Sequence, residues 1–203
     1  DAQIETFKAE DPDAVVAPMT DGDQTQNFGF INIHYFAAAV TLYGGQVQGG
    51  YQYDGKTYDA KFGHVAEYDT CVECHNPHTT EVKVDECAAC HEGVASKDDL
   101  KKIRMVSSAS DYDGDGNVEE GIFDELAGVR DILMGAIQSY ATEATGAGIV
   151  YDPASYPYWF TDADGDGAVD KNADGNNVAF TTWTPRLLKA AYNYQVSVKD
   201  PGA

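Results

Sequence analysis

The chain has 203 residues, of which 43 % are hydrophobic, and a formal net charge of -21 at pH 7. This length and apolar content suffice for a packed core in one domain or two small ones, which excludes a disordered tail. The negative charge repels phosphate backbones and anionic membrane surfaces, so we expect no nucleic-acid partner.

The first 27 residues are polar and acidic, and we predict an irregular arm there. The sequence begins at Asp1 without an apolar leader, as expected of an exported protein whose signal peptide has been removed. We therefore expect an extracellular, cell-surface or periplasmic location. The longest apolar run, Tyr35 to Tyr43, is far below the roughly 20 residues of a membrane-spanning helix, so no membrane span is expected.

Helices are predicted in four places along the remaining chain. Apolar residues at helical spacing indicate a first helix from Phe28, ended by Gly44 and Gly45. Between this helix and the cysteines, the segment "YQYDGKTY" (51–58) predicts a small β-hairpin. Further helices are predicted after the cap Ser96, from about Glu119 to Thr145, and from Pro185 with Thr184 as its cap.

All four cysteines lie in "CVECHNPHTTEVKVDECAACH" (71–91), as two Cys-x-x-Cys pairs that are each followed by histidine. A four-thiolate zinc site, two disulfides and two covalent haems all compete for them. With 5 histidines in the chain, chance would place one after both pairs with a probability of about 1 in 1,600, and zinc needs neither. Haem c needs both, because two thiols bond the porphyrin and the next residue reaches the iron. We predict haem I on Cys71, Cys74 and His75, and haem II on Cys87, Cys90 and His91.

The remaining histidines are candidates for the second iron ligands: His34, His64 and His78. His78 is too close to His75 to pass round the same haem, so it should serve haem II or a haem of another chain. His64 can reach round haem I, and His34 lies one helical turn before the small Ala38. Methionine is the rival ligand, at Met105, Met19 or Met134. Two bis-histidine haems leave no open iron, which favours electron transfer over catalysis.

Two acidic loops, "DYDGDGNVEEGI" and "DADGDGAVDKNA", share the spacing D-x-D-x-D-G of a calcium loop. Ile122 and Ala173 stand where a bidentate glutamate is expected at position 12, and Glu120 or Asp124, and Asp174, are possible substitutes. A solvated acidic turn is the alternative. We predict two calcium ions, with ligands from Asp111, Asp113, Asp115, Asn117, Glu119, Glu120, Asp162, Asp164, Asp166, Ala168, Asp170 and Asp174.

The segment "CVECHNPH" with the second Cys-x-x-Cys-His resembles the paired haem motif of multihaem c-type cytochromes of the cytochrome c3 and c7 kind, which are exported electron carriers of metal-reducing bacteria. The resemblance covers about residues 64–91. It implies covalent haem on the motif cysteines, proximal ligation by the motif histidines and bis-histidine irons. The flanks "INIHYFAAAVTLYGG" and "WTPRLLKAAYNYQ" are similar to those of larger exported multihaem cytochromes with acidic calcium loops. Some such relatives polymerise into conductive filaments in which one subunit lends a histidine to the next.

The sequence therefore predicts a mainly α dihaem c-type cytochrome with irregular haem-wrapping loops, one small β-hairpin and EF-hand-like calcium loops. We expect an acidic arm (1–27), a dihaem module (28–105) and a helical region with two calcium loops (106–203), the last two packed as one unit. The predicted function is electron transfer to redox partner proteins or to copies of itself in a filament (nanowire). A periplasmic shuttle, a dihaem peroxidase or reductase with one open iron, and a zinc-stabilised adhesion module are the alternatives.

Overall fold

The computed structural model describes residues 12–15, 40, 42–61, 63–105 and 107–199. Within them the fold is mainly α, with a single two-stranded antiparallel sheet. The helices are α1 (Cys71–Cys74), α2 (Val84–Cys87), α3 (Lys97–Leu100), α4 (Ile122–Thr145) and α5 (Pro185–Lys199), and a 3-10 turn spans Gly44–Val47. Most of the predicted arm and of the helix predicted from Phe28, including His34 and Met19, lies outside the described residues.

The two long helices begin and end where the sequence carries end signals. Helix α4 starts at Ile122, three residues after the predicted start, and ends before Gly146, which has a φ of 72°. A left-handed residue of this kind is inexpensive only for glycine, and it stops the helix. Helix α5 starts at Pro185, where the hydroxyl of Thr184 accepts a hydrogen bond from the Leu187 amide at 3.1 Å. This confirms the predicted cap.

The sheet pairs β1 (Ile149–Tyr151) with β2 (Trp159–Thr161), with Val150 opposite Phe160. The hairpin predicted at 51–58 is not where this sheet forms. That segment does contain the predicted tight turn, because Lys56 donates a backbone hydrogen bond to Tyr53 at 3.2 Å and Gly55 has a φ of 75°. No strand ladder accompanies the turn among residues 51–58.

The chain divides into two compact units. The first comprises Asp1–Asn32 and Leu133–Gln195, and its core joins α4, both strands and α5. The buried core residues are Ile137, Ala141, Ile149, Trp159, Phe180, Trp183, Leu187 and Ala191. The rings of Trp159 and Trp183 meet edge to face at 6.1 Å between centroids, a favourable arrangement.

The second unit comprises Ile33–Ile132 and Val196–Ala203, and it contains the cysteine segment and the first acidic loop. Of its described residues, only Tyr51 and Val94 are large apolar side chains that are buried. Side chains such as Val65 and Val72 are 56 % and 60 % exposed. The described part of this unit thus shows little apolar core of its own, as the missing periodicity of the cysteine segment predicts.

None of the helices in the described part of the chain has the length and apolarity needed to cross a membrane.

Candidate functional site

The first Cys-x-x-Cys-His motif forms one helical turn that is capped by its own glutamate. The Glu73 carboxylate accepts hydrogen bonds from the amides of Asp69 at 2.9 Å and Thr70 at 2.8 Å, in a capping box. The chain leaves the turn at His75, whose amide donates to the Cys71 carbonyl at 2.8 Å. Both thiols and the imidazole are thereby carried on one short, locally stabilised turn.

The imidazole of His75 is oriented by the backbone. Its Nδ1 lies 2.9 Å from the Thr80 carbonyl, which accepts a hydrogen bond from the Nδ1-H tautomer. Nε2 is then the nitrogen with a lone pair for a metal, an arrangement typical of metal-binding histidines. The connecting turn contains His78, whose amide donates to Asn76 Oδ1 at 2.9 Å, and the His78 side chain is exposed.

The second motif shares one hydrogen bond with the first, although α2 ends at Cys87 whereas α1 begins at Cys71. The His91 amide donates to the Cys87 carbonyl at 2.9 Å, as His75 does to Cys71. Lys83, which precedes α2, connects the two motifs: its amide donates to the Cys74 carbonyl at 2.9 Å and its Nζ to the Val72 carbonyl at 3.1 Å. The two motifs are therefore held side by side by hydrogen bonds.

All four cysteines are free thiols, with Cys71 and Cys90 exposed. Burial, followed by the proximity of Cys87, raises the pKa of the Cys74 thiol. Among the described residues, the clusters of three or more potential metal-binding atoms contain carboxylates only, so the thiols do not converge on one point. A tetrahedral zinc site requires such convergence, whereas two thiols on one turn followed by histidine suit haem attachment. The donor set therefore fits two haems.

The structure places His64 beside the second motif. Its ring centroid lies 6.0 Å from that of His91, and the two planes are inclined by 31°. From the sequence, His64 was expected to reach haem I, whose motif ends at His75. The side chain of the rival ligand Met105 is 49 % exposed, and Met134 packs on the core of the first unit.

The first acidic loop gathers its alternate aspartates. Ligand oxygens of Asp111, Asp113 and Asp115 lie within 4.8 Å of one another. Asp111 also accepts hydrogen bonds from the amides of Gly114 at 2.6 Å and Gly116 at 2.9 Å, which fold the loop round that carboxylate. The predicted spacing thus produces a concave group of carboxylates of the kind that binds calcium.

Further along this loop, Asn117 Nδ2 donates to Glu120 Oε2 at 3.1 Å, and the Glu119 amide donates to Asn117 Oδ1 at 3.1 Å. The exposed Glu119 carboxylate belongs to none of the described clusters, whereas Glu120 joins Asp113 in a second one. Glu120 Oε1 is buried and has no hydrogen-bond partner. Burial, followed by the neighbouring Asp115 and Asp113, raises the pKa of Glu120.

Glu125 is the third member of this second cluster, and the sequence interpretation, which named Glu120 or Asp124 as the substitute ligand, missed it. Its side chain is 0 % exposed, and its Oε2 accepts the amides of Tyr112 at 2.7 Å and Asp113 at 3.2 Å. Its Oε1 accepts a hydrogen bond from Arg104. A sequence signal existed, since Glu125 interrupts the apolar face predicted for α4.

The second acidic loop brings together Asp162, Asp164 and Asp166, with ligand oxygens within 4.8 Å of one another. Asp162 is only 5 % exposed, and its Oδ2 accepts the Gly167 amide at 3.1 Å. The other two ligands predicted in this loop, Ala168 and Asp170, lie outside that cluster and form hydrogen bonds within the loop. Asp170 Oδ2 accepts the Ala163 amide at 2.8 Å inside the loop, and the Ala168 amide donates to Asp166 at 2.7 Å.

Asp174 lies in a separate turn from the second loop. The turn is closed by the Asn172 amide, which donates to the Asn176 carbonyl at 2.9 Å, while Asn172 Oδ1 accepts the Asp174 amide at 3.0 Å. Asp174 therefore does not join the clustered aspartates.

Comparison with known proteins shows that the chain is distantly similar to polyhaem c-type cytochromes. It is 23 % identical to the "C-type polyheme cytochrome OmcB" of Geobacter sulfurreducens over 92 % of this chain and 26 % of that protein. It is 24 % identical to the "C-type polyheme cytochrome OmcC" of the same organism over 92 % of this chain and 25 % of that protein. The chain thus spans about a quarter of the length of these relatives. No protein-family model and no solved structure matches it.

Proposed function

We propose that the protein is an electron-transfer cytochrome that carries two covalently attached c-type haems. The observation that carries the proposal is the pair of matching turns, Cys71–His75 and Cys87–His91, each with two free thiols and a histidine whose amide donates to the first cysteine. The distant likeness to polyhaem cytochromes supports it. Haem bound in this way supplies reversible one-electron chemistry.

The residues of the chain would bind the haems, orient the histidine ligands and set the electron-donating strength of those ligands. The thiols of each motif anchor one porphyrin, and the motif histidine provides a nitrogen ligand from one face. The hydrogen bond from His75 to the Thr80 carbonyl fixes the ring orientation and increases the basicity of Nε2. Two of the three candidates His34, His64 and His78 would supply the second ligands, so that no open iron remains for a substrate.

The test is expression in a host that matures c-type cytochromes, with covalent haem measured by the pyridine haemochrome method. We expect two haems per chain, one after Cys71→Ala/Cys74→Ala and one after Cys87→Ala/Cys90→Ala. The ferric spectrum should be low-spin and should not respond to cyanide. A colourless protein that retains zinc would contradict the proposal, and cyanide binding at one equivalent per chain would favour a peroxidase or reductase.

We also propose a calcium ion in each acidic loop. In the first loop, the support is the cluster of Asp111, Asp113 and Asp115. Beside it lies the buried Oε1 of Glu120, which has no hydrogen-bond partner and which a cation would neutralise. In the second loop, the support is the matching cluster of aspartates that includes Asp162. Calcium there would offset repulsion between carboxylates and so stabilise the fold.

The calcium proposal is tested by thermal unfolding of the haem-loaded protein. A chelator should lower the Tm while the haem spectrum at room temperature remains unchanged, and added calcium should restore the Tm. Equal melting curves with and without chelator would contradict it.

For the whole protein we propose an exported carrier that acts outside the cytoplasmic membrane and passes electrons to redox proteins or to copies of itself in a filament. The proposal of a contact between molecules is supported by the exposure of His78, on a turn closed by Asn76, which leaves the imidazole accessible to a second molecule. Electron microscopy of the purified protein with calcium distinguishes the two arrangements. Thin fibres that are lost in His78→Ala would support the filament, and compact particles would leave a periplasmic shuttle.

A further inference from the structure

The rings of His64 and His91 form a pair for which the described residues offer no ordinary structural role. Their centroids are 6.0 Å apart with planes inclined by 31°. Among the described residues, neither ring nitrogen of either histidine has a hydrogen-bond partner. His64 is exposed and His91 is half-buried, so the pair is not part of an apolar core.

The separation matches that of two imidazoles on opposite sides of one metal ion. A metal–nitrogen bond of about 2 Å, and about 1 Å more from the nitrogen to the ring centre, places the two centroids about 6 Å apart. The observed distance of 6.0 Å therefore leaves room for one metal between the rings.

A second observation concerns Tyr68, which lies between His64 and the first motif. The pKa of its hydroxyl is raised by the nearby Glu86 carboxylate, then by burial, then by the Cys90 thiol. Glu86 and Cys90 lie beside and within the second motif, although Tyr68 is only three residues before the first. The backbone also approaches the first motif, since the Cys74 thiol donates to the Tyr68 carbonyl at 3.9 Å.

We propose that His64 is the second iron ligand of the haem attached to Cys87 and Cys90, opposite His91. The ligation is thus crossed, because a histidine that precedes the first motif serves the haem of the second. The haem on Cys71 and Cys74 then takes its second ligand from a histidine other than His64. This assignment rests on the proposed dihaem function.

The consequence is a mechanical link between the two haems. The stretch from His64 to His91 begins with a ligand of the second haem, continues through the attachment turn of the first, and ends with the opposite ligand of the second. Within that stretch, Lys83 connects the two turns through hydrogen bonds to the carbonyls of Cys74 and Val72. Neither haem can shift without moving this shared backbone, which fixes the separation on which the rate of electron transfer depends.

The test counts low-spin haems in two double variants of the full chain, in which all four cysteines remain. If His64 and His91 share one iron, His64→Gly/His91→Gly leaves the other haem untouched and retains half of the ferric low-spin signal in electron paramagnetic resonance. The matched variant His64→Gly/His75→Gly removes a ligand from each haem and should retain none. The reverse pattern would overturn the assignment, and His64→Gly alone with full low-spin signal would do so as well.

Imidazole rescue and haem content separate this result from misfolding and from failure of the proposed function. Exogenous imidazole should restore the low-spin signal of His64→Gly, whereas a collapsed site would not be restored. His78→Gly serves as the control and should retain the low-spin signal of the haem on Cys87 and Cys90. Fewer than two haems per wild-type chain would count against the dihaem function itself, whereas two haems with the reverse pattern would count only against the crossed ligation.

Discussion

The guanidinium of Arg104 and the carboxylate of Glu125 form an ion pair with only 10 % and 0 % of their side chains exposed. Arg104 also donates to the carbonyls of Ser108 at 2.7 Å and Glu120 at 3.2 Å, at either end of the first acidic loop. Burial alone would raise the pKa of Glu125, but hydrogen bonds from Arg104 and from two amides hold it below its usual value of 4.5. The pair therefore clamps the loop against the start of α4.

Arg104→Met should destabilise the protein by about 3 kcal/mol, because it leaves the Glu125 charge buried without its partner. For a chain of this size the Tm should fall by roughly 10 °C in calorimetry. Lys102→Met is the matched control, because Lys102 also forms an ion pair, with Asp99, but its side chain is 75 % exposed. Exposed pairs contribute little, so equal losses in the two variants would contradict the clamp.

Glu120→Gln should have effects of opposite sign with and without calcium. Burial and the adjacent Asp115 and Asp113 raise the pKa of Glu120 above 4.5, so its charge at pH 7 destabilises the calcium-free fold. Removing that charge should raise the Tm in chelator. The same change removes the negative charge of a proposed calcium ligand and should weaken calcium binding in titration calorimetry by about tenfold or more. A Tm that falls in chelator, or an unaltered affinity, would show that Glu120 does not face the ion.

Gly128→Ala should disturb the first acidic loop from the side of the helix. A Cβ at Gly128 would lie 1.8 Å from Asp113 Oδ2 and 2.7 Å from its Cβ, so the aspartate must move. We expect a loss of calcium affinity of about tenfold. Gly135→Ala is the control on the same helix, where a Cβ meets no atom within 4 Å. It should instead stabilise the protein by about 0.5 to 1 kcal/mol through helix propensity, with calcium affinity unchanged.

Tyr151→Phe should stabilise the first unit by about 1 kcal/mol, because the Tyr151 hydroxyl is buried without a hydrogen-bond partner. Burial also raises its pKa from 10.0 to about 12. The neutral phenol is thus favoured in the folded state, and this contribution is present below pH 10 and lost as the pH rises from 10 to 12. Denaturant titrations should show that loss in the wild type and a smaller one in the variant.

Tyr140→Phe provides the contrast for this prediction. The Tyr140 hydroxyl donates to Asp13 at 2.7 Å and lies 2.9 Å from the Thr184 hydroxyl, so its removal should destabilise the unit by about 1 kcal/mol. Stabilisation by both variants, or by neither, would contradict the role assigned to hydrogen bonding.

Local signals account for the parts of the fold that the sequence predicted. The Thr184 cap with Pro185 at the first helical position, and the stop at Gly146, each act on a helix end within a few residues, so they can be recognised in a linear sequence. The same holds for the alternating aspartates of each acidic loop. The class of protein expected from the short Cys-x-x-Cys-His motifs likewise agrees with the distant similarity to polyhaem c-type cytochromes.

The contacts that the sequence did not reveal join distant positions. Glu125 meets Arg104 across 21 residues, and His64 meets His91 across 27, so no local spacing predicts either pair. The sheet forms at β1 and β2 because Trp159 and Phe160 are buried in the core of the first unit, whereas the turn at Gly55 has no comparable apolar support. Tertiary burial rather than strand propensity decided which segment became a sheet.

The acceptor that orients His75 is a carbonyl of the main chain and not a side chain. No substitution at Thr80 that preserves the turn can delete that oxygen, so the electron-donating strength of His75 is protected against most single mutations. A side-chain acceptor could be exchanged by a single substitution. At the proposed haem site, the contribution of this hydrogen bond to the reduction potential therefore changes when the turn between His75 and Thr80 is reshaped, whereas the second ligand and the burial of the haem can be altered independently.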